Sequence, residues 1–310
     1  MTAERLLPLI RRIPLLATPV RAHGAESDIE SVLKVWAARS DLVTVDRLGF
    51  LAARTFPDAK TDDVVLWARW LALLADPRGD GARTCSAVLA GRRDRKPLAP
   101  ADKALRELWT VTAPRVGPTW RRRFVGKLDL HQAACTAEAA NRRRGRIPSP
   151  SEYVVLRRGT FGAHVFDLIE AVLRTEVPAR LLDTSTWRTL YEGSIDIAAW
   201  CTDIARAETS TDNFVAVAGK AFGMPTTAAI DWVAERIIER SAQVRAAVLT
   251  LPGLYDRCGF DRPAATYLSR VACALVTLPR AHIEWWLTSA RPADVPEPRQ
   301  AVRQSVATRR

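Results

Sequence analysis

The stretch Ile147-Pro148-Ser149-Pro150-Ser151-Glu152-Tyr153-Val154-Val155-Leu156-Arg157-Arg158-Gly159-Thr160-Phe161-Gly162 decides how the chain is read. Tyr153–Leu156 is its nearest approach to a strand, but the run is short and ends in two arginines. Ser149, Pro150 and Glu152 instead spell a helix start. The serine hydroxyl caps the first turn, proline occupies the first helical position, and glutamate three residues on closes a capping box. Working outward, the apolar residues keep helical spacing. Ile29, Val32, Leu33 and Trp36 form one stripe, and Leu66, Trp70, Leu73 and Leu74 form another. Leu105, Leu108 and Trp109 predict a third helix and Trp120–Arg144 a long fourth. Asp167–Leu173, Ile195–Arg206, Asn213–Phe222, Thr226–Val248 and Arg262–Trp286 complete a set of roughly ten, with Leu251-Pro252-Gly253 expected to end a helix. The fold class is all-α, a single-domain antiparallel helical bundle, with no repeat and no linker dividing it. The domain is expected over residues 1–291, and 292–310, with three prolines and few large apolar residues, as a flexible C-terminal tail.

Composition narrows the function classes. At 310 residues and 48% hydrophobic, the chain can bury a sizeable core. The net charge is +12, and of 46 basic residues only six are lysine. The Arg92–Lys96, Arg121–Arg123 and Arg142–Arg146 clusters match no helix-turn-helix, zinc-finger or RNA-binding signature. They read as solvated loops and helix ends, with no specific nucleic-acid partner, although some arginines suit an anionic ligand such as a diphosphate. No apolar run approaches the roughly eighteen residues of a membrane span. Leu6–Ile10 is too short for a signal peptide, so a cytoplasmic location is expected. The five cysteines form no CxxC pair and read as reduced thiols. The four histidines are scattered, without an HExxH, and read as surface or core residues.

Several segments in order resemble the bacterial class I terpene synthases. These are Val35–Val43 with its Trp36-Ala37 pair, Phe56-Pro57-Asp58-Ala59, Leu66-Trp67-Ala68-Arg69-Trp70, then Glu138, Ile147–Tyr153 and the Leu156–Gly162 block, within about residues 14–292. The resemblance implies antiparallel helices around a deep apolar pocket, a linear prenyl diphosphate substrate, and Mg²⁺ ions and basic residues that hold the diphosphate while ionisation yields an allylic cation. Homodimers also occur in such a family. Carried over residue by residue, the diphosphate sensor is Arg158, or Arg157 in the adjacent register. The small effector residue is Gly162, and the C-terminal clamp is Arg291. The pocket wall is expected from Trp67, Phe161, Trp200, Phe214 and Trp285.

The metal motifs depart from the family pattern. The Asp-rich motif becomes Asp76-Pro77-Arg78-Gly79-Asp80, keeping Asp76 and Asp80 as metal contacts. The second motif, whose ligands stand four and eight residues apart on one helical face, becomes Thr202, Arg206 and Ser210. Hydroxyls ligate weakly, and a guanidinium does not ligate at all. The expectation is a cyclase that uses fewer than three Mg²⁺ ions, or none, with Arg206 standing in for a lost metal. A non-catalytic homologue that binds an apolar or anionic ligand or a protein partner is the alternative. So is a metal-independent cyclase started by a proton from Asp76 or Asp203.

Overall fold

The computed structural model describes residues 3–43, 46–75, 89, 100–210 and 212–289. Helices of eight or more residues are α1 Glu26–Arg39, α2 Leu48–Thr55, α3 Thr61–Leu74, α4 Pro100–Thr112, α5 Pro118–Arg143, α6 Pro150–Phe161, α7 His164–Leu173, α8 Ser185–Ala205, α9 Phe214–Phe222, α10 Thr226–Arg257 and α11 Arg262–Ser289. The described residues contain no strand. None of their helices is long and apolar enough to cross a membrane. The expected tail, 292–310, lies outside the described residues, as do Asp76, Asp80 and Arg291.

Local chemistry sets the helix boundaries. Ser149 Oγ accepts from Glu152 N at 3.3 Å and Glu152 Oε2 accepts from Ser149 N at 2.8 Å, so the capping box opens α6 as its sequence demands. Asn213 caps α9 by accepting from Ala216 N at 2.8 Å. Pro252 does not end a helix: α10 continues through it to Arg257. The missing N–H costs one backbone bond. Leu251, Leu254 and Tyr255, buried on either side of it, keep the segment helical.

Helix α8 is buried along its whole second half, from Gly193 to Ala205, and packs on α10 and α11. A helix buried on every side belongs at the centre of a bundle, and its polar residues Asp196 and Asp203 are paired there with arginines. Glycine at 193 permits the close approach of α10, since a Cβ there would lie 2.3 Å from Val244 Cγ2. The N-terminal apolar segment docks into the same core through Leu6, Leu9, Ile10, Ile13 and Leu16.

Part of the arginine excess is structural rather than solvated. Arg54 and Arg280 share buried Glu284 at 3.0 and 2.9 Å, tying α2 to α11. In the Arg121–Arg123 cluster, Arg121 donates to the Ala113 and Val116 carbonyls and Arg123 pairs with Glu170, while Arg122 is exposed. Cys135, Cys201, Cys258 and Cys273 are free thiols.

Candidate active site

Helices α6 and α7 would be one rod but for Gly162, whose φ of +94° breaks them. That left-handed conformation is open to glycine and strained for other residues. The break leaves Phe161, Gly162 and His164 on the wall of a cavity of about 270 Å³, closed by Trp67 from α3 and by His282 and Trp285 from α11. Each indole N–H is used. Trp67 Nε1 donates to the Val165 carbonyl at 3.3 Å and Trp285 Nε1 to the Asp46 carbonyl at 2.8 Å. Their faces are thereby held in place. Phe161 meets His282 edge-on at 5.6 Å.

Trp200 and Phe214 are not among the cavity's lining residues. They build a second aromatic cluster, with ring centroids 5.2 Å apart and Phe214 stacked on Tyr153 at 5.2 Å. The reason is angular: Trp200 stands two residues, about 200°, from Thr202, and it is Thr202 that contacts His282 of the cavity wall.

A second, almost wholly polar recess of about 120 Å³ lies beside α6. Glu138 and Arg142 from α5, Arg157 from α6, and Asp203 and Arg206 at the end of α8 line it, with Ser210, Asp212 and Asn213. Arg157 Nη2 pairs with Asp203 Oδ1 at 2.8 Å, and Asp203 Oδ2 accepts from Tyr153 Oη at 2.9 Å. Burial alone would lower the Arg157 pKa, but the Asp203 charge outweighs it and holds the guanidinium ionised. Burial pushes the Glu138 carboxyl above its usual range, against the pull of Arg157. The Arg157 guanidinium also sits 5.3 Å over the Phe161 ring, so one residue touches both the recess and the cavity wall.

Arg158 faces elsewhere. It grips Asp196 with Nε at 2.6 Å and Nη2 at 2.9 Å, and Glu192 with Nη1 at 2.6 Å, and it is not among the residues lining either space. Adjacent residues on a helix point about 100° apart. The structure therefore brings Arg157, not Arg158, to the site.

The second metal motif is dismantled. Helix α8 ends at Ala205, Arg206 caps it, and Ser210 lies in the following loop, so 202, 206 and 210 do not share a helical face. The Thr202 hydroxyl is engaged, with Oγ1 3.1 Å from the Ala198 carbonyl and 3.0 Å from His282 Nε2. Trp286 Nε1 donates to that same His282 nitrogen at 3.0 Å and lies 3.3 Å from Thr202 Oγ1. Asp203 belongs to Arg157 and Glu208 to Arg5, so Arg206 pairs with neither. Among the described residues no group of three or more His, Cys, Asp or Glu is placed to hold a metal ion. The donors present here do not fit a metal cluster. Asp76 and Asp80 lie outside the described residues, one and five positions after Ala75, which lines the cavity.

Sequence reasoning missed the histidines. His131, His164 and His282 all line the cavity. For His282 a signal existed: Leu278, His282 and Trp285 stand at i, i+4 and i+7, so the face that carries Trp285 also carries the imidazole. His164 follows the Gly162 break by two residues. Nothing in the sequence around His131 marks it. Burial, and behind it the charge of Arg157, lowers the His282 pKa to about 4.

Comparison with known proteins agrees with this architecture. The (-)-delta-cadinene synthase of Streptomyces clavuligerus is 26% identical over 304 residues, covering 88% of this chain and 92% of that protein. The (+)-T-muurolol synthase of Roseiflexus castenholzii, described as cyclizing (2E,6E)-farnesyl diphosphate, is 27% identical over 200 residues, covering 57% of this chain and 61% of its own. Wild-type cucumene synthase has the same fold, with a TM-score of 0.76 at 24% identity over 88% of this chain and 99% of that one. Residues 68–243 match the family described as terpene synthase family 2, C-terminal metal binding, which is more than half of the chain. From the all-helical bundle, the cavity at the α6–α7 break and that match, the chain belongs to the class I terpene synthase family.

Proposed function

We propose that the chain ionises a linear prenyl diphosphate of farnesyl size, folds and cyclises the resulting cation in the apolar cavity, and releases diphosphate. The observation that carries this is the position of Arg157, one face in the polar recess and the other on the Phe161 ring. A substrate with a charged head and a hydrocarbon tail fits such a junction. Guanidinium groups at Arg157 and Arg206 would take diphosphate oxygens, and their fixed charge is worth most as the C–O bond breaks and the leaving group gains charge. The cation then lies among the Trp67, Phe161 and Trp285 rings, away from water. The farnesyl length is supported by the named relative that cyclises farnesyl diphosphate.

Divalent-metal use belongs to the family. In this chain the 202–210 segment supplies no ligand set for it, and no step of the reading passes through a metal held there. Asp76 and Asp80 are the proposed metal contacts and Arg291 the proposed clamp, on the strength of sequence alone. The engaged Thr202 favours one alternative, a non-catalytic homologue that binds an apolar anion in the same cavity. Incubation with geranyl, farnesyl and geranylgeranyl diphosphates plus Mg²⁺ or Mn²⁺, followed by gas chromatography, separates the two. Cyclic hydrocarbon from farnesyl diphosphate supports the cyclase, and no released diphosphate from any of the three overturns it.

A further inference from the structure

Three imidazoles in an otherwise apolar wall call for hydrogen-bond accounting, because a buried polar group without a partner is costly. His131 Nδ1 lies 2.7 Å from the Gly159 carbonyl. A carbonyl only accepts, so that nitrogen carries the hydrogen and the lone pair is on Nε2, where Cys135 Sγ stands 3.6 Å away. His282 Nε2 receives the Trp286 N–H at 3.0 Å and has Thr202 Oγ1 at 3.0 Å. His164 differs. The residue is 2% exposed, and its buried Nδ1 has no hydrogen-bond partner. The ring meets His131 edge-on at 4.9 Å, and a Cβ on Gly162 would lie 3.3 Å from its Cε1.

We propose that His164 is the proton acceptor that ends the reaction in the cavity, taking the proton from the carbon next to the last cationic centre. The proposal rests on the prenyl diphosphate reading above. In the step, a C–H bond breaks and its electron pair becomes the second bond of the new alkene at the former cation. The proton is taken by a ring-nitrogen lone pair of His164, whose ring lines the cavity, giving an imidazolium and a neutral hydrocarbon. The imidazolium then passes its proton to water or to the departing diphosphate. No oxidant or reductant takes part. Burial first, then the charges of His131 and Lys127, lowers the His164 pKa to about 3, which keeps the ring neutral and its lone pair available at neutral pH. Weak basicity is no obstacle, since a carbocation with an adjacent C–H is a far stronger acid than imidazolium. It also makes the ring quick to shed the proton it has taken. The lone pairs of His131 and His282 already face donors, which leaves His164 as the acceptor of the three.

The test uses the full chain with farnesyl diphosphate and Mg²⁺, reading diphosphate release and hydrocarbon profile together. His164→Phe keeps a flat ring and removes the nitrogens. The main wild-type hydrocarbon is expected to fall about tenfold per diphosphate released, replaced by isomeric alkenes or alcohols. An unchanged product ratio in the variant overturns this proposal alone. A wild-type chain that releases no diphosphate overturns the cyclase reading, and this inference with it. A measurement on the wild-type chain does not depend on how the variant folds. With ¹⁵N-labelled histidine, His164 should be neutral between pH 6 and pH 8, with a ring nitrogen at the shift of a pyridine-type atom free of hydrogen bonds. A charged ring, or a hydrogen-bonded pyridine-type nitrogen, overturns the proposal.

Discussion

The apolar cavity and the polar recess share helix α6, yet they stand at opposite distances from the family pattern. On the cavity side, Trp67, Phe161 and Trp285 hold the wall and Gly162, the residue matched to the family's small effector position, breaks the rod. On the recess side, the helix that would present three metal ligands stops at Ala205. Many apolar side chains share the work of shaping a cavity, and each can be exchanged for another of similar volume. A metal cluster needs particular oxygen atoms at fixed spacing, so a helix that stops at Ala205 cannot offer residues 202, 206 and 210 on one face. The wall of the cavity tolerates exchange where that segment does not.

The largest expected effect comes from separating the two neighbouring arginines. Arg157→Ala strands the buried Asp203 carboxylate without its guanidinium partner, and breaking a buried pair in this way costs about 3–5 kcal/mol. Arg158→Gln leaves Asp196 still bonded to Arg240 Nε at 2.9 Å, so the expected loss is about 1–2 kcal/mol. Urea unfolding measures both. Binding of inorganic pyrophosphate should be lost in the Arg157 variant and retained in the Arg158 variant. The reverse result would put the anion on the other face of α6 and break the division between the two regions.

Next in size is acid sensitivity centred on the cavity. His164 and His282 have folded pKa values of about 3 and about 4 against an ordinary 6.5. Between those values the unfolded chain binds more protons than the folded one, so stability rises with pH across this window. The contribution is complete above pH 6.5 and is lost as pH falls toward 4. At pH 5 the loss is about 2 kcal/mol per ring. Burial raises the Glu170 carboxyl to about 8, which acts in the opposite sense over the same range, so the imidazole contribution is read by comparing wild type with His164→Phe: the variant's stability should fall about 2 kcal/mol less between pH 7 and pH 5. An identical pH dependence in thermal melts of the two proteins would mean that the His164 ring is not sealed in an apolar wall.

Gly162→Ala follows. At φ +94° an alanine is strained by about 1–2 kcal/mol. Its Cβ would also crowd the His164 ring at 3.3 Å. A lower melting temperature together with an altered hydrocarbon profile is expected. A change in melting temperature with an unaltered profile would detach the helix break from the chemistry.

Much of the fold was legible because it is written in repeated local signals. The Ser149–Glu152 capping box and the i, i+4, i+7 stripes each restate the same helices. Pro252 misled because a local breaker was outweighed by buried Leu251, Leu254 and Tyr255, which are contacts across the bundle. The site was legible in part. Trp67, Phe161 and Trp285 lie on stripes that face inward. Trp200 shares such a stripe but is turned about 200° from Thr202, and only the three-dimensional arrangement shows which side of a fully buried helix meets the cavity. Choosing between Arg157 and Arg158 is the same problem at 100°. His131 and His164 were hidden because a single imidazole carries no periodic signal of its own, whereas His282 stood on the Leu278–Trp285 stripe and could have been found there.

The smallest effect tests the recess itself. Arg206 is exposed at the helix end and is paired with neither Asp203 nor Glu208. A lone guanidinium in contact with solvent gives an anion about 1 kcal/mol, or roughly fivefold in affinity. Calorimetric titration of pyrophosphate into the wild type and into Arg206→Gln, each with Mg²⁺ and with a chelator, reads that contribution separately from catalysis. If arginine has replaced a metal ion, some affinity persists in chelator and drops about fivefold in the variant. If binding instead requires three equivalents of Mg²⁺ and ignores the variant, the ligands come from elsewhere in the chain and the recess is a structural ion-pair network. The salt dependence sharpens the distinction, because attraction by an exposed arginine is screened over a Debye length of about 8–10 Å, whereas the buried Arg157 is screened far less. Raising ionic strength should therefore shrink the gap between wild type and Arg206→Gln while leaving the larger gap to Arg157→Ala nearly intact.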